Sequence, residues 1–164
     1  MLKTIFRKPK KEDAKKIHKL VKNTNVLDVN SEYLYLLQST HFNETCSVAE
    51  ANNEIIGFIS GYIYPLNPEV LFVWQVGVDD KFRGQNIAKD LLTNIIDRKL
   101  LQGVKYIYTT ISPSNIASQK FFEKFAKSLN TEIHKETMFE ISDFNNAHED
   151  EVLYKIGPFK QSIQ

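Results

Sequence analysis

The segment Leu71–Ile111 constrains the fold more than any other part of this chain. Leu71–Val78 is dense in β-branched and aromatic residues, the composition of a strand on a half-buried sheet. Ile87, Ala88, Leu91, Leu92, Ile95 and Ile96 then recur as doublets four apart, which predicts an amphipathic helix with one apolar stripe. Gly103 reads as the C-cap that closes the helical segment, and Val104–Ile111 as a second strand. A strand, a helix and a strand in that order should pair their strands in parallel and cross over right-handed.

The flanking segments add to this unit. Thr4–Arg7 reads as a strand. Pro9, Glu12 and Asp13 suit the positive end of a first helix, whose inward stripe is Ala14, Ile17, Leu20 and Val21. Asn30-Ser31 offers cap oxygens for a second helix running through Tyr33, Leu34, Leu36 and Leu37 to about Ser39. Cys46–Glu50 and Ile55–Ile63 form a hairpin pattern around Ala51-Asn52-Asn53-Glu54. A helix over Asn115–Ala126, with Ala117, Phe121, Phe122 and Phe125 on its apolar face, precedes strands at Glu132–Phe139 and Val152–Ile156. Mixed runs of this kind mean an α/β or α+β sheet covered by helices. No linker or repeat divides the sequence, and its 164 residues fit a single domain over 1–164.

Composition narrows the function. Lys and Arg number 21 against 20 Asp and Glu, a net charge of +1 that argues against a protein built to coat nucleic acid. One cysteine excludes a disulfide scaffold and a multi-thiolate zinc site, and no His, Cys and carboxylate cluster has metal-ligand spacing. No apolar run reaches the roughly 20 residues of a membrane span, and MLKTIFRKPKKED has no apolar core of a secretory signal. A cytoplasmic location is expected. The nine basic residues among positions 1–22 read as the wet face of the first helix rather than a phosphate patch.

Chemistry concentrates where the strand turns into the regular helix, at Val78-Asp79-Asp80-Lys81-Phe82-Arg83-Gly84-Gln85-Asn86-Ile87-Ala88. A strand entering a helix through small residues aims unpaired backbone N–H groups at one point, with the helix dipole behind them. Such a seat suits a pyrophosphate, and Arg83 adds a charge. Gly84 and Asn86 are residue types that tolerate left-handed backbone. The Gly-Lys-Ser/Thr ending of a P-loop and the three spaced glycines of a dinucleotide fingerprint are both absent. From the loop alone, an ordinary strand-to-helix turn remains an equal alternative.

Arg83-Gly84-Gln85-Asn86-Ile87-Ala88 resembles the Arg/Gln-x-x-Gly-x-Gly/Ala signature of the GCN5-related N-acetyltransferases, with Asn86 where that family usually has Gly. Thr110-Ile111-Ser112-Pro113-Ser114-Asn115-Ile116-Ala117-Ser118 is similar to the family's second segment. The resemblance implies a mixed sheet of about seven strands flanked by about four helices. A narrower likeness runs from Phe6-Arg7-Lys8-Pro9 through Leu27-Asp28-Val29-Asn30-Ser31-Glu32-Tyr33 and Phe72-Val73-Trp74-Gln75-Val76 to His148-Glu149-Asp150-Glu151 and Ile156-Gly157-Pro158-Phe159. These stretches resemble the family of L-2,4-diaminobutyrate acetyltransferases of ectoine biosynthesis.

That resemblance implies direct transfer of acetyl from acetyl-CoA to the γ-amine of L-2,4-diaminobutyrate, without a metal. It gives the cofactor Val76, Val78, Arg83, Gly84, Gln85, Asn86, Ile87, Ala88 and Asn115, the substrate Asp28, Tyr33, Trp74, His148 and Glu151, and catalysis Trp74, Val76 and Glu151. The Val76 N–H would receive the thioester oxygen, with Trp74 and Gln75 beside the reacting centre. Each side chain has a plainer alternative: a core aromatic for Trp74, a cap or turn residue for Asp28, core packing for Tyr33, and a solvated loop for His148 and Glu151. Phe122 stands where many members carry a thiolate-protonating Tyr, so Phe122→Tyr is expected to change little. Cys46 reads as a small buried hydrophobe, not a nucleophile. Another small diamine or amino acid as acceptor, or a non-catalytic CoA- or nucleic-acid-binding module, are the competing functions. A homodimer is the default assembly.

Overall fold

The computed structural model describes residues 3–146 and 148–161. Their elements run β1 (Ile5–Arg7), α1 (Ala14–Thr24), α2 (Glu32–Gln38), β2 (Ser47–Ala51), β3 (Glu54–Ile63), β4 (Val70–Val78), α3 (Ile87–Ile96), β5 (Tyr106–Ile111), α4 (Ile116–Ser128), β6 (Ile133–Phe139) and β7 (Glu151–Ile156). The strands hydrogen-bond in the order β1-β2-β3-β4-β5-β7-β6. β4 and β5 pair in parallel through Val70–Phe72, as the strand–helix–strand pattern predicts, and the β1–β2, β2–β3, β5–β7 and β6–β7 pairs are antiparallel. The described residues divide into two compact units whose boundary falls inside β3 and β4. The first holds the residues up to Tyr62 and Val73–Gln102; the second holds Ile63–Phe72 and the residues from Gly103 onward.

In the first unit, Ala14, Ile17, Leu20 and Val21 of α1 are buried with Tyr35, Cys46, Val48, Ile55 and Phe58, while Lys15, Lys16, Lys19 and Lys22 are exposed. Four of the nine basic residues thus form the wet face of α1, while Lys3, Arg7, Lys8, Lys10 and Lys11 precede the helix. Asp13 does not open an α-helical turn as its sequence position suggests. A short 3₁₀ turn over Lys11–Asp13 precedes α1, and the Asp13 carboxylate takes a two-pronged bond from Arg7 (2.7 and 3.0 Å) and the Lys10 N–H (2.8 Å). Burial alone would raise the Asp13 pKa; these hydrogen bonds outweigh it and hold the carboxyl below its ordinary value. Asn52 and Asn53 both take left-handed backbone (φ 52° and 63°), giving the β2–β3 hairpin a two-residue turn whose twist matches its strands.

The doublets of α3 are buried as predicted at Ile87, Leu91, Leu92, Ile95 and Ile96. A side-chain carbon at Gly57 would lie 2.8 Å from Ile87 Cγ2 and 3.0 Å from Leu91 Cδ1, so this glycine lets α3 approach β3. The helix ends at Ile96, short of the expected Gly103 cap. The reason is Arg98, whose backbone turns extended and whose guanidinium donates to the carbonyls of Asn43, Glu44 and Cys46 at 3.0, 2.8 and 2.6 Å. Cys46 is fully buried, and desolvation pushes its thiol up to about 11, so it is no nucleophile at neutral pH.

In the second unit, β7 lies between β5 and β6. Phe122, Phe125 and Ala126 of α4 are buried, but Ala117 is exposed and Phe121 only half-buried, so the apolar face is narrower than the sequence suggests. β6 is the edge strand and is exposed from His134 through Phe139. Among the described residues no helix is long and apolar enough to cross a membrane.

Candidate active site

The turn from β4 into α3 has the geometry its sequence predicts. The Asp79 N–H donates to the Ile56 carbonyl (2.9 Å), and the Asp79 carboxylate accepts the Lys81 N–H (2.9 Å), fixing a 3₁₀ turn over Asp80–Phe82. The backbone then passes through positive φ twice, at Gly84 (76°) and at Asn86 (60°), the left-handed N-cap of α3. Asn86 therefore stands in for glycine where the residue type tolerates the conformation. Its side chain makes no cap bond, and the N–H groups of Gly84, Gln85, Ile87 and Ala88 have no acceptor among the described residues. Unpaired N–H groups ahead of a ten-residue helix make an anion seat, and Gly84 presents no side chain to block it. These groups fit the pyrophosphate of a CoA thioester. Arg83 is exposed and bonded to Asp80 (2.6 Å), so its charge is partly offset.

Alternation along β4 sorts its residues onto two faces. Trp74, Val76 and Val78 stand on the more open side, Trp74 at 47% exposure, whereas Val73, Gln75 and Gly77 are buried. Trp74 is no core aromatic. Gln75, expected beside the reacting centre, instead points inward. Its N–H donates to the Ser60 hydroxyl (3.1 Å), its Nε2 to the Asp28 carbonyl (2.7 Å), and its Oε1 accepts from Tyr35 Oη (3.1 Å).

The α1–α2 loop places Asp28, and the first turn of α2 places Tyr33, at the surface. Ser31, not Asp28, caps α2, its Oγ accepting the Leu34 N–H (3.2 Å). The Asp28 carboxylate has no hydrogen-bond or ion-pair partner among the described residues and is exposed. Tyr33 is 69% exposed, and the tyrosine that packs in the core is Tyr35, at 0%. Asp28 is thus no helix cap, and Tyr33 does not pack in the core.

In the second unit, His148 is held on three sides. Its ring stacks on Phe144 (3.9 Å between centroids), Nδ1 lies 2.6 Å from the Glu149 carbonyl, and Nε2 lies 3.8 Å from Glu151 Oε1. A carbonyl only accepts, so Nδ1 carries the hydrogen of that bond. Glu149 is itself tethered: its carboxylate accepts the Ser114 N–H (3.0 Å) and the Ser114 hydroxyl. This stretch is no solvated loop. Asn115 caps α4, its Oδ1 accepting the Ser118 N–H (3.1 Å). Phe122, where a hydroxyl was sought, is buried.

Sequence reasoning missed the Gln75–Tyr35 bridge and the Glu149–Ser114 tether. The only available signal for the first was an amide among apolar strand residues; nothing local marks the second.

These features belong to a family. The model of the acetyltransferase (GNAT) family matches residues 14–126, and the chain belongs to that family. More particularly, it is 45% identical over 153 residues to L-2,4-diaminobutyric acid acetyltransferase of Methylotuvimicrobium alcaliphilum, covering 93% of this chain and 89% of that protein. Against the enzyme of the same name from Marinococcus halophilus it is 42% identical over 156 residues, covering 94% and 90%. The structure of diaminobutyrate acetyltransferase EctA from Paenibacillus lautus, in complex with its substrate L-2,4-diaminobutyric acid and coenzyme A, matches with a TM-score of 0.94 at 40% identity, each chain covered at 100%.

Proposed function

We infer that this protein transfers acetyl from acetyl-CoA to the γ-amino group of L-2,4-diaminobutyrate, giving Nγ-acetyl-diaminobutyrate, a step of ectoine formation. The observation that carries this is the full-length likeness, at 40% identity, to an enzyme holding that substrate and coenzyme A. The interleaved units then act as one acetyltransferase domain over residues 1–164, in the cytoplasm, where acetyl-CoA is available.

The chemistry assigns roles to the residues. Acetyl-CoA supplies the activated thioester. Val76, Val78, Arg83, Gly84, Gln85, Asn86, Ile87, Ala88 and Asn115 hold it, the open N–H groups of the loop taking the pyrophosphate. The Val76 N–H receives the charge that gathers on the thioester oxygen. The free Asp28 carboxylate anchors an ammonium of the substrate, and Tyr33 and Trp74 shape its seat. An ammonium cannot attack a carbonyl, so its proton must leave first. Glu151, with His148 Nε2 3.8 Å from it, accepts that proton. The neutral γ-nitrogen then bonds to the acetyl carbon, the carbon–sulfur bond breaks as CoA departs as thiolate, and the nitrogen's second proton passes through water to that thiolate, since Phe122 has none to give. With Cys46 buried and its thiol raised, transfer is direct.

The test is CoA release measured with each substrate omitted in turn, with the product's acetylated nitrogen located by NMR. Turnover requiring both substrates and acetylation at Nγ is the expected result. Inert diaminobutyrate beside rapid acetylation of another amine would overturn it. The exposed edge strand β6 further supports a homodimer, to be read by sedimentation.

A further inference from the structure

We propose that Gln75 is the positioning residue of the amine acceptor site: its buried amide, together with the Tyr35 hydroxyl, holds the backbone of Asp28–Asn30 and so sets where the Asp28 carboxylate stands. This rests on the assignment of Asp28 to the substrate.

A primary amide in a core is costly unless every group on it is paired. Gln75 is 5% exposed, and both polar atoms of its side chain have a partner. The Asp28 carbonyl only accepts, so the Gln75 amide must turn Nε2 toward it and Oε1 toward Tyr35. Tyr35 Oη spends its single proton on Oε1 and with a lone pair takes the Asn30 N–H, at 3.4 Å. The loop is thereby gripped at two backbone points two residues apart, one acceptor and one donor. Tyr35 cannot drift, because its ring meets His18 and Phe58 edge-on at 5.9 and 6.1 Å.

The loop has little else to fix it. Val26, Asp28 and Val29 are exposed; the remaining ties are the Leu27 side chain, packed against the core, and its N–H, donated to Thr24 Oγ1 at 3.3 Å. The clamp also has a direction. Gln75 sits on β4 between Trp74 and Val76, the residues assigned to the reacting centre. One side chain of fixed length therefore registers the carboxylate that anchors the substrate against the strand that receives the thioester oxygen. Misplacement by about 1 Å in such an arrangement costs on the order of 100-fold in rate.

Gln75→Met keeps the length and volume but removes both polar atoms, and Tyr35→Phe removes the relay alone. For Gln75→Met the diaminobutyrate KM should rise about tenfold, with the acetyl-CoA KM within about twofold of wild type. Tyr35→Phe should show the same selectivity with a smaller rise. The deciding measurement is the cycle with Asp28→Ala: acting through Asp28, Gln75→Met should add nothing to the acceptor KM in that background. If Asp28→Ala raises the KM while Gln75→Met is silent, or the two effects add in full, the clamp is overturned and the Asp28 assignment stands. If Asp28→Ala is itself silent, the assignment falls and the clamp's role falls with it.

Discussion

On the proposed assignment, two segments, Gly84–Ala88 and Asp28–Asn30, solve recognition in opposite ways. The first offers backbone N–H groups, held in place by the positive φ of Gly84 and Asn86 and by the start of α3. It needs no partner beyond its own chain geometry. The second offers one side chain, and its backbone is held by Gln75, far away in sequence, and by Tyr35 on the helix that follows. A backbone-built seat suits a pyrophosphate, whose oxygens several N–H groups can share. A side chain on a borrowed support suits the acceptor, because a change at Gln75 or Tyr35 moves it without disturbing the cofactor seat.

Four substitutions break or sharpen this contrast. The largest effect is expected for Glu151→Gln, which removes the proposed proton acceptor: kcat should fall by about 100-fold or more while the acetyl-CoA KM holds, measured by steady-state kinetics. Next is Gly84→Val, which forces a β-branched residue to φ 76°. A strain on the order of 1–3 kcal/mol should appear as a roughly tenfold rise in acetyl-CoA KM, with the diaminobutyrate KM unchanged. Arg83→Ala should raise the acetyl-CoA KM only a few-fold, and less at high salt, because the guanidinium is exposed and shared with Asp80. Asn86→Gly should be the mildest, within about twofold in every constant, since both residues accept φ 60°. A large Asn86→Gly effect on acceptor KM would collapse the distinction between the loops.

How far the sequence carries differs along the same line. The doublets of α3, the Asn52-Asn53 turn and the left-handed Asn86 are all local properties, and local properties are written in spacing and residue type. Helix α2 shows where that stops. Its leucines suggest an apolar stripe through Tyr33, Leu34, Leu36 and Leu37, yet its buried residues are Tyr35 and Gln38. The inward face is set by Gln75 on β4, a partner no helical period reveals. Arg98 ends α3 before Gly103 for the same reason, having found carbonyls more than fifty positions earlier in the chain. Phe122 also needs its surroundings: as a buried ring it makes Phe122→Tyr a stability change rather than a silent one. The unpartnered hydroxyl should cost about 1–3 kcal/mol, seen as a lower Tm with kcat unchanged.

The burial of Cys46 has a practical side. Its sealed, poorly ionised sulfur makes the native protein a ready-made blank for maleimide chemistry. A cysteine introduced at Val26, 78% exposed at the entrance to the Asp28 loop, would carry a fluorophore alone and report any change around that loop when diaminobutyrate is added.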